Sequence, residues 1–175
     1  MHKTWRNAQG MFDICLIRPP AVESFRFATT SITLPLGLAY IAAAVERDGR
    51  RVCVVDAVGE GPEIRTRYCK GYLVGLRFEE VVRRIPHESE IVGITVVFTH
   101  EWPSVVRLVE LIKQARPDLR IILGGEHITS MPEFCLMTSE ADYLVIGEGE
   151  ECVVDLLEAL DAGDPLDGIE GIAFR

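Results

Sequence analysis

The chain has 175 residues, 48% hydrophobic and 26% charged, and its 18 basic and 27 acidic side chains give a net charge of −9. That mix fits one ordinary globular domain and excludes a disordered chain, a coiled coil and a collagen-like repeat. The acidic balance repels phosphate backbones and argues against general nucleic-acid binding. No apolar run approaches the roughly 18 residues that cross a membrane, and residues 1–7 lack a signal-peptide core, so the cytoplasm is the expected compartment.

Residues 12–17 (FDICLI) are a short apolar run stopped by Pro19 and Pro20, which predicts a strand and a turn. Pro35 opens a helix at the first-turn position proline favours. Leu38, Ile41, Ala42 and Val45 form its apolar stripe, and Gly49 ends it. Residues 51–55 (RVCVV) predict a second strand, closed by Asp56. Residues 57–76 hold five glycines and prolines without a clean period, so 57–75 and 1–10 are expected to be the least regular parts. A short helix is predicted over 78–85 and a third strand over 91–98. A helix over 102–115 turns Val105, Leu108, Val109 and Ile112 inward. A fourth strand over 120–123 runs into Gly124-Gly125. A short helix over 132–138, a fifth strand over 143–146 and a last helix over 150–160 complete the pattern.

Five apolar strands alternating with amphipathic helices imply right-handed crossovers, hence an α/β, flavodoxin-like (Rossmann-like) parallel sheet with helices on both faces. The common strand order is 2-1-3-4-5. Residues 1–10 read as an N-terminal extension, 11–163 as the domain, and 164–175 as the start of a linker or strand toward a further domain. The five cysteines are widely spaced and odd in number, which argues against a disulfide framework, and no C-x3-C-x2-C occurs. Cys15 and Cys53 are expected to be buried small hydrophobes.

In such sheets ligands sit beyond the carboxyl ends of the strands. Residues 18–20, 99–101, 124–127 and 147–150 are placed there. Gly124-Gly125 would let a ligand lie on the backbone; an ordinary strand-to-helix turn is the structural alternative. On the ligand reading, a leucine at 125 abolishes binding with little loss of stability. His100 and His127 lie at the ligand edge, and His127, just after the glycine pair, is the better hydrogen-bonding candidate. No G-x-S-x-G elbow, G-x-G-x-x-G fingerprint or P-loop is present.

The ordered set ICLIRPP (14–20), PLGLAYIAA (35–43), VVD (54–56), VGIT (92–95), ILGGEH (122–127) and DYLVIGEGE (142–150) resembles the N-terminal cobalamin-binding domain of radical S-adenosylmethionine enzymes. The tail EGIAFR (170–175) is similar to the segment leading into that family's radical domain. The resemblance implies a corrin on the C-terminal edge of the sheet, its nucleotide tail extended into the domain. Thr95, Val97 and Thr99 then match the positions lining the tail, and Gly124 and Gly125 the glycines it passes, with Glu126 and His127 beside them. Gly147, Glu148 and Gly149 match the fifth-strand loop, and Pro19, Pro20, Leu36 and Gly37 the loops near the ring. No catalytic residue and no metal ligand is assigned.

Mutase-type cobalamin domains carry D-x-H-x-x-G after the first strand, and its histidine replaces the cofactor's own base on cobalt. Here residues 18–23 read RPPAVE, without histidine. The resemblance therefore implies base-off cobalamin without a histidine lower ligand, in a parent enzyme, a methyltransferase or a relative, that also uses a [4Fe–4S] cluster and S-adenosylmethionine. The expected partners are a C-terminal radical domain of the same chain and an unspecified small-molecule or peptide substrate. This chain carries no cluster motif and is not expected to cleave S-adenosylmethionine alone. Two alternatives stay open: a docking module of the same fold without corrinoid, and a binder of flavin or another small ligand.

Overall fold

A computed structural model describes residues 13–25 and 33–175. The predicted extension, residues 1–10, lies outside the described residues. In chain order the elements begin β1 (Ile14–Arg18), β2 (Ala21–Ser24), α1 (Leu36–Arg47), β3 (Val52–Asp56), β4 (Arg65–Tyr68), β5 (Gly71–Val74) and α2 (Phe78–Arg84). They continue with β6 (Ile91–Thr95), α3 (Trp102–Ala115), β7 (Arg120–Gly124), α4 (Glu126–Ser130), α5 (Pro132–Thr138), β8 (Tyr143–Val145), α6 (Gly149–Ala162) and β9 (Ile172–Phe174).

The main sheet runs β3-β1-β6-β7-β8-β9. Its first five strands are parallel, in the flavodoxin-like order expected. The sixth, β9, pairs antiparallel with β8 and forms the outer edge, so the sheet has six strands rather than the five parallel ones expected.

Strand alternation sends side chains to two separate cores. Cys15, Ile17, Val92, Ile94, Ile121 and Leu123 pack with α3, whose Val105, Leu108, Val109 and Ile112 are fully buried. Ile14, Leu16, Ile91, Ile122 and Val145 pack with α1 and α6 through Leu38, Val45, Leu156 and Leu157. Each fully buried aliphatic contributes roughly 1.5–3 kcal/mol. No helix among the described residues is long and apolar enough to cross a membrane.

Four other details depart from the sequence reading. Residues 57–75 contain regular structure, because β4 and β5 form a hairpin that β2 extends into a three-stranded antiparallel sheet, β2-β5-β4. The third strand ends at Thr95 rather than Phe98, and a single 3-10 turn follows at Thr99–Glu101. The Val96 amide still donates to the Gly124 carbonyl at 2.7 Å, but its own carbonyl accepts the His127 amide at 3.1 Å, which draws the backbone out of the ladder. That second bond belongs to α4, an element the sequence did not reveal. Cys15 is fully buried, whereas its register partner Cys53, on the edge strand, is only half-buried.

Candidate functional site at the carboxyl edge of the sheet

At the carboxyl ends of the strands, the face covered by α1 and α6 carries small residues. Gly93 and Thr95 follow Ile91 on that face; a Cβ at Gly93 would press on the Leu16 side chain at 2.7 Å, so the bare part begins at Thr95, the register partner of Gly124. A methyl group at Gly124 would make only ordinary contact, 3.6 Å, with Val145. At Gly37 and Gly147 it would meet nothing within 4 Å. These positions outline a backbone-walled trough reaching the edge between the N-termini of α1 and α6. Apolar side chains flank it, with Leu34 81%, Leu36 62%, Tyr40 64% and Val97 46% exposed. Isolated exposed apolar residues are common, but several at one edge suit a binding surface.

Arg18 holds this edge together. Its guanidinium donates to the Thr33 carbonyl at 2.7 Å and faces the Asp56 carboxylate at 3.4 Å, tying β1, β3 and the approach to α1. Asp56 also accepts the Gly59 amide at 2.9 Å.

The other residues singled out from the sequence have different surroundings. Gly125 has φ +110°, and a Cβ there would lie 2.7 Å from the Val96 carbonyl oxygen and 3.1 Å from the Val96 nitrogen. The backbone crossing requires this glycine, so the expectation that a leucine at 125 spares stability is corrected. A Cβ on Gly149 would press on Ile41 at 2.8 Å, so this glycine seats α6 against α1. Pro19 and Pro20 are buried, whereas Thr99, Glu126 and Glu148 are exposed. His127 is 2% exposed, its ring lies 5.2 Å from that of Trp102, and neither ring nitrogen has a partner among the described residues. Burial pushes its pKa down. A buried imidazole without partners carries a desolvation cost that a bound group or water would relieve.

The sequence reading missed the small sheet entirely. Its turn is Cys69-Lys70, with Cys69 at φ +49°, in place of the Asn-Gly or Asp-Gly pair that announces a tight hairpin. The sheet takes up residues 21–24, the segment after β1 where mutase-type domains place their histidine. His100 Nε2 donates to the Val22 carbonyl at 3.2 Å, joining this sheet to the β6–α3 connection. Burial raises the Glu101 pKa, while the amides of Val22 and Phe98 and the charge of His100 oppose the shift. Burial also pushes the thiols of Cys135 and Cys152 up to about 11, which leaves them unreactive near neutrality. No group of three or more metal-ligating side chains occurs among the described residues.

Comparison with known proteins identifies the family and the fold. The family described as "B12 binding domain" matches residues 27–157. Cytidylyl-2-hydroxyethylphosphonate methyltransferase of Streptomyces wedmorensis is 29% identical over 170 residues, covering 91% of this chain and 31% of that protein. Two solved structures share the fold. The radical S-adenosylmethionine methyltransferase TsrM from Kitasatospora setae, with cobalamin and a [4Fe–4S] cluster bound, superposes with a TM-score of 0.72 at 18% identity, over 94% of this chain and 29% of that one. The cobalamin-dependent S-adenosylmethionine radical enzyme OxsB, with aqua-cobalamin and S-adenosylmethionine bound, gives 0.71 at 17% identity, over 94% and 21%. The chain thus spans about a third or less of each relative's length. With three quarters of its residues matched by that family's model, the chain belongs to the B12-binding domain family.

Proposed function

We propose that this chain is the N-terminal cobalamin-binding part of a radical S-adenosylmethionine methyltransferase, and that it holds cobalamin base-off, without a histidine on the lower face of cobalt. The observation that carries the reading is the trough at Gly37, Thr95, Gly124 and Gly147, where the backbone is open to a ligand on the α1/α6 face. In this reading the nucleotide tail enters there, and Leu36 and Val97 meet the ring edge. Gly125, Gly149, Pro19 and Pro20 act indirectly by shaping the loops. Glu126, Glu148 and Thr99 border the opening, and His127 lies beneath it. The corrinoid, when bound, supplies the methyl-transfer chemistry; this chain's residues orient it and govern access.

Three features support the absence of a histidine ligand. Residues 21–24 are held in register by β5 and are not a free loop. His100 uses Nε2 on the Val22 carbonyl, and His127 is buried against Trp102. The domain partition follows from the same reading: residues 11–163 bind the cofactor and 164–175 lead toward a radical domain carrying the [4Fe–4S] cluster and S-adenosylmethionine, in the cytoplasm. The Streptomyces wedmorensis relative, named a methyltransferase, supports that assignment of the whole protein.

The test is loading with hydroxocobalamin, followed by electron paramagnetic resonance of the cobalt(II) form. A stoichiometric complex with unsplit high-field lines is expected. Triplet splitting from an axial nitrogen that disappears in His100→Ala or His127→Ala would refute the ligand-free lower face. Triplets surviving both changes would refute the base-off state. Failure to take up cobalamin would refute the reading as a whole.

A further inference from the structure

A cavity lies elsewhere on the same edge. A groove of about 750 Å³ separates the small sheet β2-β5-β4 from the β6–α3 connection, and is lined by Val22, Tyr68, Lys70, Phe98, His100 and Pro103 among others. It opens beside the first turn of α3, on the side of the main sheet away from α1 and α6, whereas the trough lies on the α1/α6 face. Ligand pockets of small molecules commonly enclose roughly 300–1,000 Å³, with mainly apolar walls and a few polar groups that fix orientation.

The walls have that character. The rings of Phe98 and His100 stack, with centroids 5.5 Å apart and planes 25° from parallel, and form one flat aromatic side. The bond from His100 Nε2 to Val22 fixes this wall to the small sheet opposite, leaving Nδ1 as the ring's remaining acceptor. Tyr68 and Val22 occupy the same face of the small sheet, by register and alternation.

The charge is local and opposite to that of the whole. Residues 65–74 read RTRYCKGYLV, three cations and no acid in a chain of net charge −9. Arg65 pairs with Glu23 at 3.1 Å, and the Arg67 guanidinium lies 5.9 Å from the centre of the Phe25 ring. Lys70, on the groove, has no ion-pair partner among the described residues. By the same alternation Arg65 and Arg67 lie on the opposite face of the small sheet, and Glu23, which also borders the groove, is paired with Arg65; Lys70 is therefore the cation that the groove's described lining offers an anion.

We propose that this groove is a second small-molecule site, taking a ligand with a planar apolar body and a phosphoryl-type anionic group. The body lies against Phe98 and His100, and Lys70 meets the anion. Resting on the cobalamin-binding reading, the inference names the substrate class of the same edge: the groove is where a methyl acceptor is held beside the corrin.

Phenyl phosphate is the probe, with phenol and inorganic phosphate as its two halves. Titration calorimetry is run on the chain alone and after loading with hydroxocobalamin, whose uptake is read separately from its own absorbance. One phenyl phosphate per chain is expected in both states, bound about tenfold more tightly than either half, a difference of about 1.4 kcal/mol. Lys70→Gln and Phe98→Ala replace exposed side chains, and each is expected to weaken the probe about tenfold with cobalamin uptake unchanged. Inorganic phosphate binding as well as phenyl phosphate would overturn the proposal, since the patch would then be a charged surface only. So would equal affinity in both variants, or displacement of the probe by hydroxocobalamin, which would make the groove part of the corrin seat. A chain that binds the probe as expected but takes up no cobalamin would leave the groove standing and refute the cofactor assignment instead.

Discussion

Adjacent glycines at the end of β7 should respond in opposite ways to the same added methyl group. In Gly125→Ala the new Cβ would stand 2.7 Å from the Val96 carbonyl oxygen and 3.1 Å from both the carbonyl carbon and the nitrogen, at φ +110°. Backbone atoms cannot swing aside as a side-chain tip does. A non-glycine residue held in such a region costs about 1–3 kcal/mol. Relief of the clash would also stretch the bonds from Val96 N–H to Gly124 and from His127 N–H to Val96, now 2.7 and 3.1 Å. Each is worth about 1 kcal/mol. A total near 3 kcal/mol corresponds to a melting temperature lower by about 6–12 °C for a domain of this size. In Gly124→Ala the new methyl sits 3.6 Å from Val145 in ordinary contact. Stability should change by less than about 1 kcal/mol, and alanine's lower backbone entropy favours a small gain. The methyl projects into the trough, so hydroxocobalamin affinity should fall at least about tenfold, or 1.4 kcal/mol. Urea denaturation measures the first quantity and absorbance titration the second. Unchanged stability in Gly125→Ala would refute the structural role of that glycine, and unchanged affinity in Gly124→Ala would refute the route assigned to the tail.

Two further outcomes follow from buried polar groups. Burial lowers the His127 pKa from 6.5, so the folded chain binds fewer protons than the unfolded chain between the two values; its contribution to stability is complete above pH 6.5 and declines as pH falls through that window. His127→Phe should therefore lose less stability than the parent between pH 7 and pH 5 in urea titrations, and equal slopes would place the ring in water. Arg18→Met should release the Thr33 carbonyl and leave Asp56 without its guanidinium, costing about 1.5–3 kcal/mol in denaturation; it should also speed proteolysis just before α1, and an unchanged cleavage rate would show that another contact holds that segment.

The architecture was legible wherever periodicity carried it. Residues 102–115 repeat apolar side chains every three or four positions, and α3 occupies that span. The doubly covered strands β1, β6 and β7 read as continuous apolar runs because both faces are buried. The small sheet was illegible for the same reason in reverse. Arg65, Thr66, Arg67 and Tyr68 alternate exposed and half-buried, so hydropathy gives almost no contrast. The turn between them is closed by a cysteine where a glycine or asparagine is the usual signal. The partner strand β2 lies more than 40 residues away from β5, next to two prolines that read as a loop.

Sequence placed the loops at the carboxyl edge of the sheet, where the structure has them, but could not apportion their glycines between fold and ligand. GG at 124–125 and G-E-G-E at 147–150 look alike as motifs. The difference lies in what stands opposite each Cα, which is a tertiary fact: Val96 backbone for Gly125 and Ile41 for Gly149, but open space for Gly147 and only a distant Val145 for Gly124. The two classes alternate along the chain. Within each pair one glycine lets secondary structure elements approach and the other leaves the surface bare, and Gly147, at φ +80°, is also required by its turn. That arrangement couples stability to ligand access at adjacent residues, because the crossing of Val96 over Gly125 also sets where β6 ends and where the trough begins. A substitution that loosens the crossing would reshape the trough as well, whereas one inside the trough leaves the crossing intact. The coupling therefore runs one way: Gly125 variants should lose both stability and cobalamin affinity, and Gly124 variants affinity alone.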